Sequence, residues 1–227
     1  MRRLFLPLLT ACAALLTPGS AQEVQSHGLV FERWVRDTFF DGYKPASYTQ
    51  RWDIPAAANK DHGAVPVNPK AARHGTAVDL GDALRQYEID EPFLLIVGFW
   101  QQDGDVKRIV NIIAPEISPE LWRRLWGPVT YADLRRLDAL IKDPGPSVEE
   151  TRRLALRMKN SPPFTQAVIQ MNPKIDNHGQ RRLQCSIRFS DLFKHLAPDA
   201  DPSPQARPAL FGVEYPGPIA SKPRALK

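Results

Sequence analysis

Two carboxylates, an amide and a lysine are the residues best placed by type and order to do chemistry in this chain. They are Glu32 in "FERWV", Asp79 in "AVDLGDAL", Gln101 at the end of "FLLIVGFWQQ" and Lys107 just after the turn "DGD". Glu32 and Asp79 are candidate ligands for Mg²⁺, a hard ion that keeps several waters and takes only a few protein oxygens. A glutamine carbonyl such as Gln101 can add an oxygen but no negative charge. A lysine beside such an ion would steady the attacking water or the charge that builds on phosphorus. Each residue also has a plain structural use. Glu32 stands four residues before Arg36, a spacing that lets the two pair on a helix, and Asp79 can cap a turn at Gly81.

A second group is basic. In residues 167–189, Lys174, Arg181, Arg182 and Arg188 stand against Asp176 alone, interleaved with Gln170, Asn172 and Gln184. Cations and amides on a β-ribbon can hold phosphates and contact base edges, which makes nucleic acid the implied partner. The same residues would equally serve as the solvated outer face of a sheet.

Other chemistries are poorly represented. There is no G-x-S-x-G elbow, H-E-x-x-H pair, phosphate-binding loop or dinucleotide fingerprint. The five histidines (His27, His62, His74, His178 and His195) are scattered. The aromatic residues mostly recur at core spacing; Trp52 and Trp100, near strand ends, are the exceptions.

The elements that must position these residues read as follows. "HGLVFERWVRDTFF" has apolar residues at Leu29, Val30, Phe31, Trp34, Val35 and Phe39, a helical period with Glu32 on the polar side. A short strand follows at Tyr48–Ile54, and residues 56–75, broken by Gly63, Pro66, Pro69 and Gly75, read as loop. "TAVDLGDALRQYEID" combines a strand tip, a turn at Gly81 or a short helix. "FLLIVGFWQQ" lacks alternation, as expected of a strand buried on both faces, and forms a hairpin with "VKRIVNIIAP". Helices then start at the caps Ser118 and Thr130 and cover 148–160. Both arms of 167–189 alternate apolar and polar residues, as in a hairpin laid on a core. The expected fold is therefore α+β or α/β: a mixed central sheet flanked by helices, a late β-hairpin and an irregular proline-rich tail from 198 to 227.

The order of helix glutamate, strand-tip aspartate and central strand resembles the PD-(D/E)xK fold of restriction-endonuclease-like nucleases over about residues 27–115. The resemblance implies a site of Glu32 and Asp79 holding Mg²⁺. The acid-x-lysine pair that this family carries on the next strand is missing, since Gly98, Trp100 or Gln101 fall at its places. Lys107, on the following strand, could face the same pocket across the hairpin.

Composition bounds the setting. The 227 residues, 43% hydrophobic and 24% charged, suffice for one sizeable core. "MRRLFLPLLTACAALLTPGSAQ" has the basic, apolar and small-residue layout of a secretory signal ending at Ala21. The alternative is a lipoprotein acylated at Cys12. Removal of residues 1–21 lowers the formal charge from +5 to +3 and leaves Cys185 as the only cysteine, which excludes an intramolecular disulfide. The expected layout is a signal at 1–21, one globular domain at 22–197 and the tail. The reading that follows is an exported, periplasmic or extracellular protein with a nuclease-like fold, working as a non-catalytic or degenerate binding protein. The alternative is a Mg²⁺-dependent nuclease acting on DNA phosphodiesters. A hydrolase of another kind has no nameable nucleophile.

Overall fold

The computed structural model describes residues 26–45, 50–176 and 179–220. The expected signal with Cys12, the start of the Tyr48 strand, the Asn177-His178 turn and the last tail residues lie outside the described residues. Among those described, no helix is long and apolar enough to cross a membrane.

The architecture is the mixed α+β arrangement expected. Helix α1 (Ser26–Phe39) is followed by β1 (Val67–Arg73), β2 (Val78–Asp82), the short helix α2 (Ala83–Tyr87), β3 (Phe93–Asp103) and β4 (Val106–Ile113). Strand β5 (Glu116–Ile117) leads into three helices, α3 (Pro119–Leu125), α4 (Tyr131–Lys142) and α5 (Val148–Lys159). The hairpin β6 (Gln170–Ile175) and β7 (Arg181–Ile187) precedes α6 (Phe189–Leu196). The tail carries three two-residue strands, β8 (Ala209–Leu210), β9 (Val213–Glu214) and β10 (Ile219–Ala220). Helix starts follow local chemistry. The Ser118 hydroxyl accepts from the Leu121 amide, and Thr130 forms a reciprocal capping box with Asp133.

The main sheet runs β1-β3-β4-β10, with β5 also on β3; β1 is parallel to β3 and the other pairs are antiparallel. Strand β3 is its centre and separates two cores. Phe93, Leu95, Val97 and Phe99 pack into the larger core with Trp122, Trp126 and Leu134, together with Leu183, Cys185 and Ile187 of the second sheet, β2-β7-β6. Leu94 and Ile96 face the smaller core with Phe31 and Val35 of α1 and with Leu210, Tyr215 and Ile219 of the tail. Gly98 has a packing reason: a Cβ there would lie 2.5 Å from the Phe31 ring. That absent side chain lets α1 sit close against β3.

Three expectations need correction. Residues 67–73, read as loop, form β1. Pro69 and Lys70 masked it, but both suit an edge strand, where a missing N–H costs nothing and a charge discourages further pairing. Leu29 and Val30, counted with the apolar stripe, are exposed because the buried line of α1 runs through Phe31 and Val35. The tail from 198 onward is partly ordered by β-structure. Asn111 Nδ2 donates to the carbonyls of Asp201 and Ser203, both at 2.8 Å, and β10 pairs with β4, so the tail covers the β4 edge.

Candidate active site at the edge of strand β1

Glu32 lies on α1 beside Phe31, the residue that seats the helix on the smaller-core face of β3. Its carboxyl is held above the usual range. Burial is the main cause; Lys70 opposes it, Asp53 pushes further the same way, and Arg36 opposes again. The groups that feel Glu32 are thus Lys70 and Asp53, together with the Arg36 foreseen four residues on.

Lys70 and Asp53 are brought together by a single antiparallel bridge, Ile54 to Val67. Both backbone bonds of that bridge are present, at 3.1 and 2.8 Å, so Asp53 comes beside the next residues of β1. Lys70 Nζ donates to Asp53 Oδ2 at 3.0 Å and to the Pro69 carbonyl at 3.1 Å. The Lys70 side chain is only 21% exposed and that of Asp53 39%, so the pair is partly screened from water. Asn68, two residues before Lys70, leaves the strand on the same side. It is buried, and its register partner Leu95 faces the larger core, so the Asn68 side chain lies on the sheet face away from α1.

The residues singled out in the sequence fall elsewhere, apart from Glu32. Asp79 is exposed on β2 between Val78 and Leu80, both buried in the larger core, so the main sheet stands between it and Glu32. Its Oδ1 accepts from the Gly81 amide at 2.8 Å, the turn-capping use. Burial, then the charges of Asp79 and Asp82, push the Cys185 thiol well up, which makes it an inert core residue. Gln101 is exposed opposite Arg108 in the β3–β4 hairpin. Lys107 is buried with its ammonium 4.3 Å from the centre of the Trp100 ring. Trp52 is buried against Phe93, its Nε1 donating to Glu91 Oε1 at 2.8 Å, so it is no surface platform.

The basic hairpin divides. Arg181 Nη1 donates to the carbonyls of Ile141 and Asp143 and to Thr151 Oγ1, at 3.1, 2.8 and 3.2 Å, so it ties the end of α4 to α5. Arg188 sits at the start of α6, 4.0 Å from Asp191. Lys174 and Arg182 face each other across β6 and β7. That pairing of like charges favours an anionic neighbour.

Sequence reasoning missed Asp53, Asn68 and Lys70. The available signals were a lone carboxylate inside the apolar "RWDIP" and a polar residue two before a lysine in "VPVNPKAA". Among the described residues no three His, Cys, Asp or Glu side chains converge as a metal cluster. What stands at the β1 edge is instead two carboxylates, Glu32 and Asp53, within electrostatic reach, with Lys70 beside Asp53. That set fits a hard divalent cation with retained waters rather than a closed structural site. Comparison with protein-family models, with curated proteins and with solved structures gave no match.

Proposed function

We propose that this protein is a Mg²⁺-dependent phosphodiesterase acting on nucleic acid, with Glu32, Asp53 and Lys70 as its working residues. The observation that supports it is the Lys70–Asp53 contact at 3.0 Å, beside a carboxyl whose protonation is favoured by burial and by Asp53. Burial first, and then the nearby Asp53 charge, disfavour the ionised Glu32 carboxyl, and a bound cation would relieve that cost. Glu32 and Asp53 would hold the ion. A bound Mg²⁺ supplies Lewis-acid polarisation of a phosphoryl oxygen and a more acidic water.

The chain's own groups do the rest. The Lys70 ammonium, oriented by Asp53 and the Pro69 carbonyl, offers its remaining donor to a phosphoryl oxygen as negative charge builds there. Partial burial strengthens that interaction relative to open water. The exposed side of the edge strand leaves room for a polymeric substrate, and the Lys174–Arg182 pair is a candidate phosphate contact farther away.

This reading keeps the restriction-endonuclease-like order of helix glutamate, aspartate and strand lysine, but moves it. Asp53 takes the place assigned to Asp79, and β1 takes the place assigned to β3, with Asn68 at the acid's position two before Lys70. Export of the chain by residues 1–21 is compatible with extracellular or periplasmic nucleic acid as substrate. The test is cleavage of plasmid DNA and of a labelled RNA with Mg²⁺ or Mn²⁺. Loss of cleavage in Lys70→Ala and Asp53→Asn, with Asp79→Ala as active as wild type, supports the assignment. No cleavage with either metal, or loss in Asp79→Ala alone, overturns it.

A further inference from the structure

The β8–β9 hairpin turns at Phe211 and Gly212, with φ of 48° and 81°. Two-residue turns with both central residues left-handed are suited to Asn-Gly, and a bulky residue at the first position is strained. The strained Phe211 is nevertheless 41% exposed. One ring face lies parallel on His62, centroids 3.9 Å apart and planes 9° apart, and Phe39 meets it edge-on at 5.3 Å. His62 is itself fixed, because the fully buried Asn59 accepts from its amide at 3.0 Å and donates to its carbonyl at 2.8 Å. Burial of apolar surface does not explain an aromatic ring held in a strained turn and left half open to water. A rigid ring with one face backed and the other presented is what base stacking requires.

Its contact Phe39 is on the same helix as Glu32. Phe39 lies seven residues beyond Glu32 on α1, about 10 Å along the axis at the ordinary helical rise. A cleft of about 350 Å³ follows the end of α1, lined by Phe40, Asp41, Tyr43, Pro55 and Lys60, with Lys60 3.5 Å from Asp41. Pro55 is two residues from Asp53 in sequence, and Lys60 two from His62. Lys60 is largely exposed at the rim of the cleft.

We propose that the open face of Phe211, backed by His62, is a stacking platform for an unpaired base of the strand whose phosphodiester lies at Lys70, and that the substrate is single-stranded or locally unpaired nucleic acid. The proposal rests on the phosphodiesterase reading above. A base inside a duplex already has its faces covered by its neighbours, so it cannot use such a platform without leaving the stack.

The test uses the full chain carrying Glu32→Gln, with Mg²⁺ present, and fluorescence anisotropy with fluorescein-labelled dT12 and its duplex with dA12. Single strand is expected to bind more tightly than duplex. Phe211→Ala should weaken single-strand binding about 5- to 100-fold, the range expected for one base–aromatic stack, while Phe211→Trp retains it. A dT12 scanned with a single abasic residue should show a penalty at one position in the parent, and that penalty should vanish in Phe211→Ala. Should the alanine variant unfold, Phe211→Trp binding and the abasic scan of the parent still decide the question. Equal binding by parent and Phe211→Ala, an unchanged abasic penalty, or no binding of any oligonucleotide overturns the proposal. Phe211-dependent binding without metal-dependent cleavage by wild type would remove the catalytic reading and leave the platform. Cleavage without Phe211 dependence would do the reverse.

Discussion

Lys70 Nζ rests 3.0 Å from Asp53 Oδ2 at the edge of the main sheet, with the Ile54–Val67 bridge beside it. Because Asp53 is 39% exposed, the pair is worth little to folding, within about 1 kcal/mol. Its value to phosphodiester chemistry would be far larger. Lys70→Met is therefore expected to lower metal-dependent cleavage about 10²- to 10³-fold, the cost of one lost transition-state donor, with the urea midpoint almost unmoved. Parallel loss of stability and activity would point to a merely structural pair.

Glu32 gives the protein a pH signature. Its folded carboxyl sits above the usual 4.5, so the folded state binds that proton more tightly than the unfolded chain does. The sign follows: this group favours folding most below the ordinary value, and the benefit declines as pH rises through the window up to the raised value. Glu32→Gln should then melt above wild type at pH 8 and close to it at pH 4. Added Mg²⁺ should raise the wild-type Tm at pH 8 through linkage and leave the variant unmoved. Thermal melts at the two pH values, with and without the ion, check both statements.

Gly98→Ala tests the seating of α1. The new methyl would meet the Phe31 ring at 2.5 Å, and Phe31 is fully buried with no room to retreat. The expected loss is about 1–3 kcal/mol in urea unfolding. Since Glu32 is the next residue on the helix, cleavage should fall as well. A neutral substitution would mean the helix can slide without consequence.

Arg181 and Arg182 are neighbours in sequence with opposite uses. Arg181→Ala removes three hydrogen bonds from one guanidinium to the α4 end and Thr151 and should cost about 1.5–3 kcal/mol of stability. Lys174→Ala with Arg182→Ala should leave the melting curve within about 0.5 kcal/mol yet flatten the salt dependence of oligonucleotide binding. Denaturation and a salt titration separate the two.

What the sequence made legible depended on how regular each signal was. The β3–β4 hairpin, the caps at Ser118 and Thr130 and the β6–β7 alternation follow from local residue patterns, and all appear in the fold. The site was hidden for a physical reason. Strand β1 is an edge strand whose Pro69 and Lys70 read as loop, and among the described residues the segment holding Asp53 pairs through Ile54 alone. The Asp53 segment is too short to show a period, and in β1 the run Asn68-Pro69-Lys70 interrupts it. Glu32 was visible as an acid on a helix, but its neighbours come from pairing across the sheet edge, which spacing along the chain cannot reveal. The attraction of Asp79 came from its place beside a strand, and it faces away from the core containing Glu32's helix.

The contact of Tyr215 with Phe31 and Trp34, at 6.1 and 4.9 Å between ring centres, has a consequence for how the molecule is made. It brings the first described helix against almost the last described residues, and the smaller core contains both. A chain still being synthesised therefore lacks one wall of that core until Leu210, Tyr215 and Ile219 have left the ribosome. The helices and the second sheet can form on shorter-range contacts, whereas the half of the molecule that carries Glu32 must wait for the longest loop to close. Maturation of the candidate active site would thus depend on Leu210, Tyr215 and Ile219, residues far from it in sequence that touch no substrate phosphate.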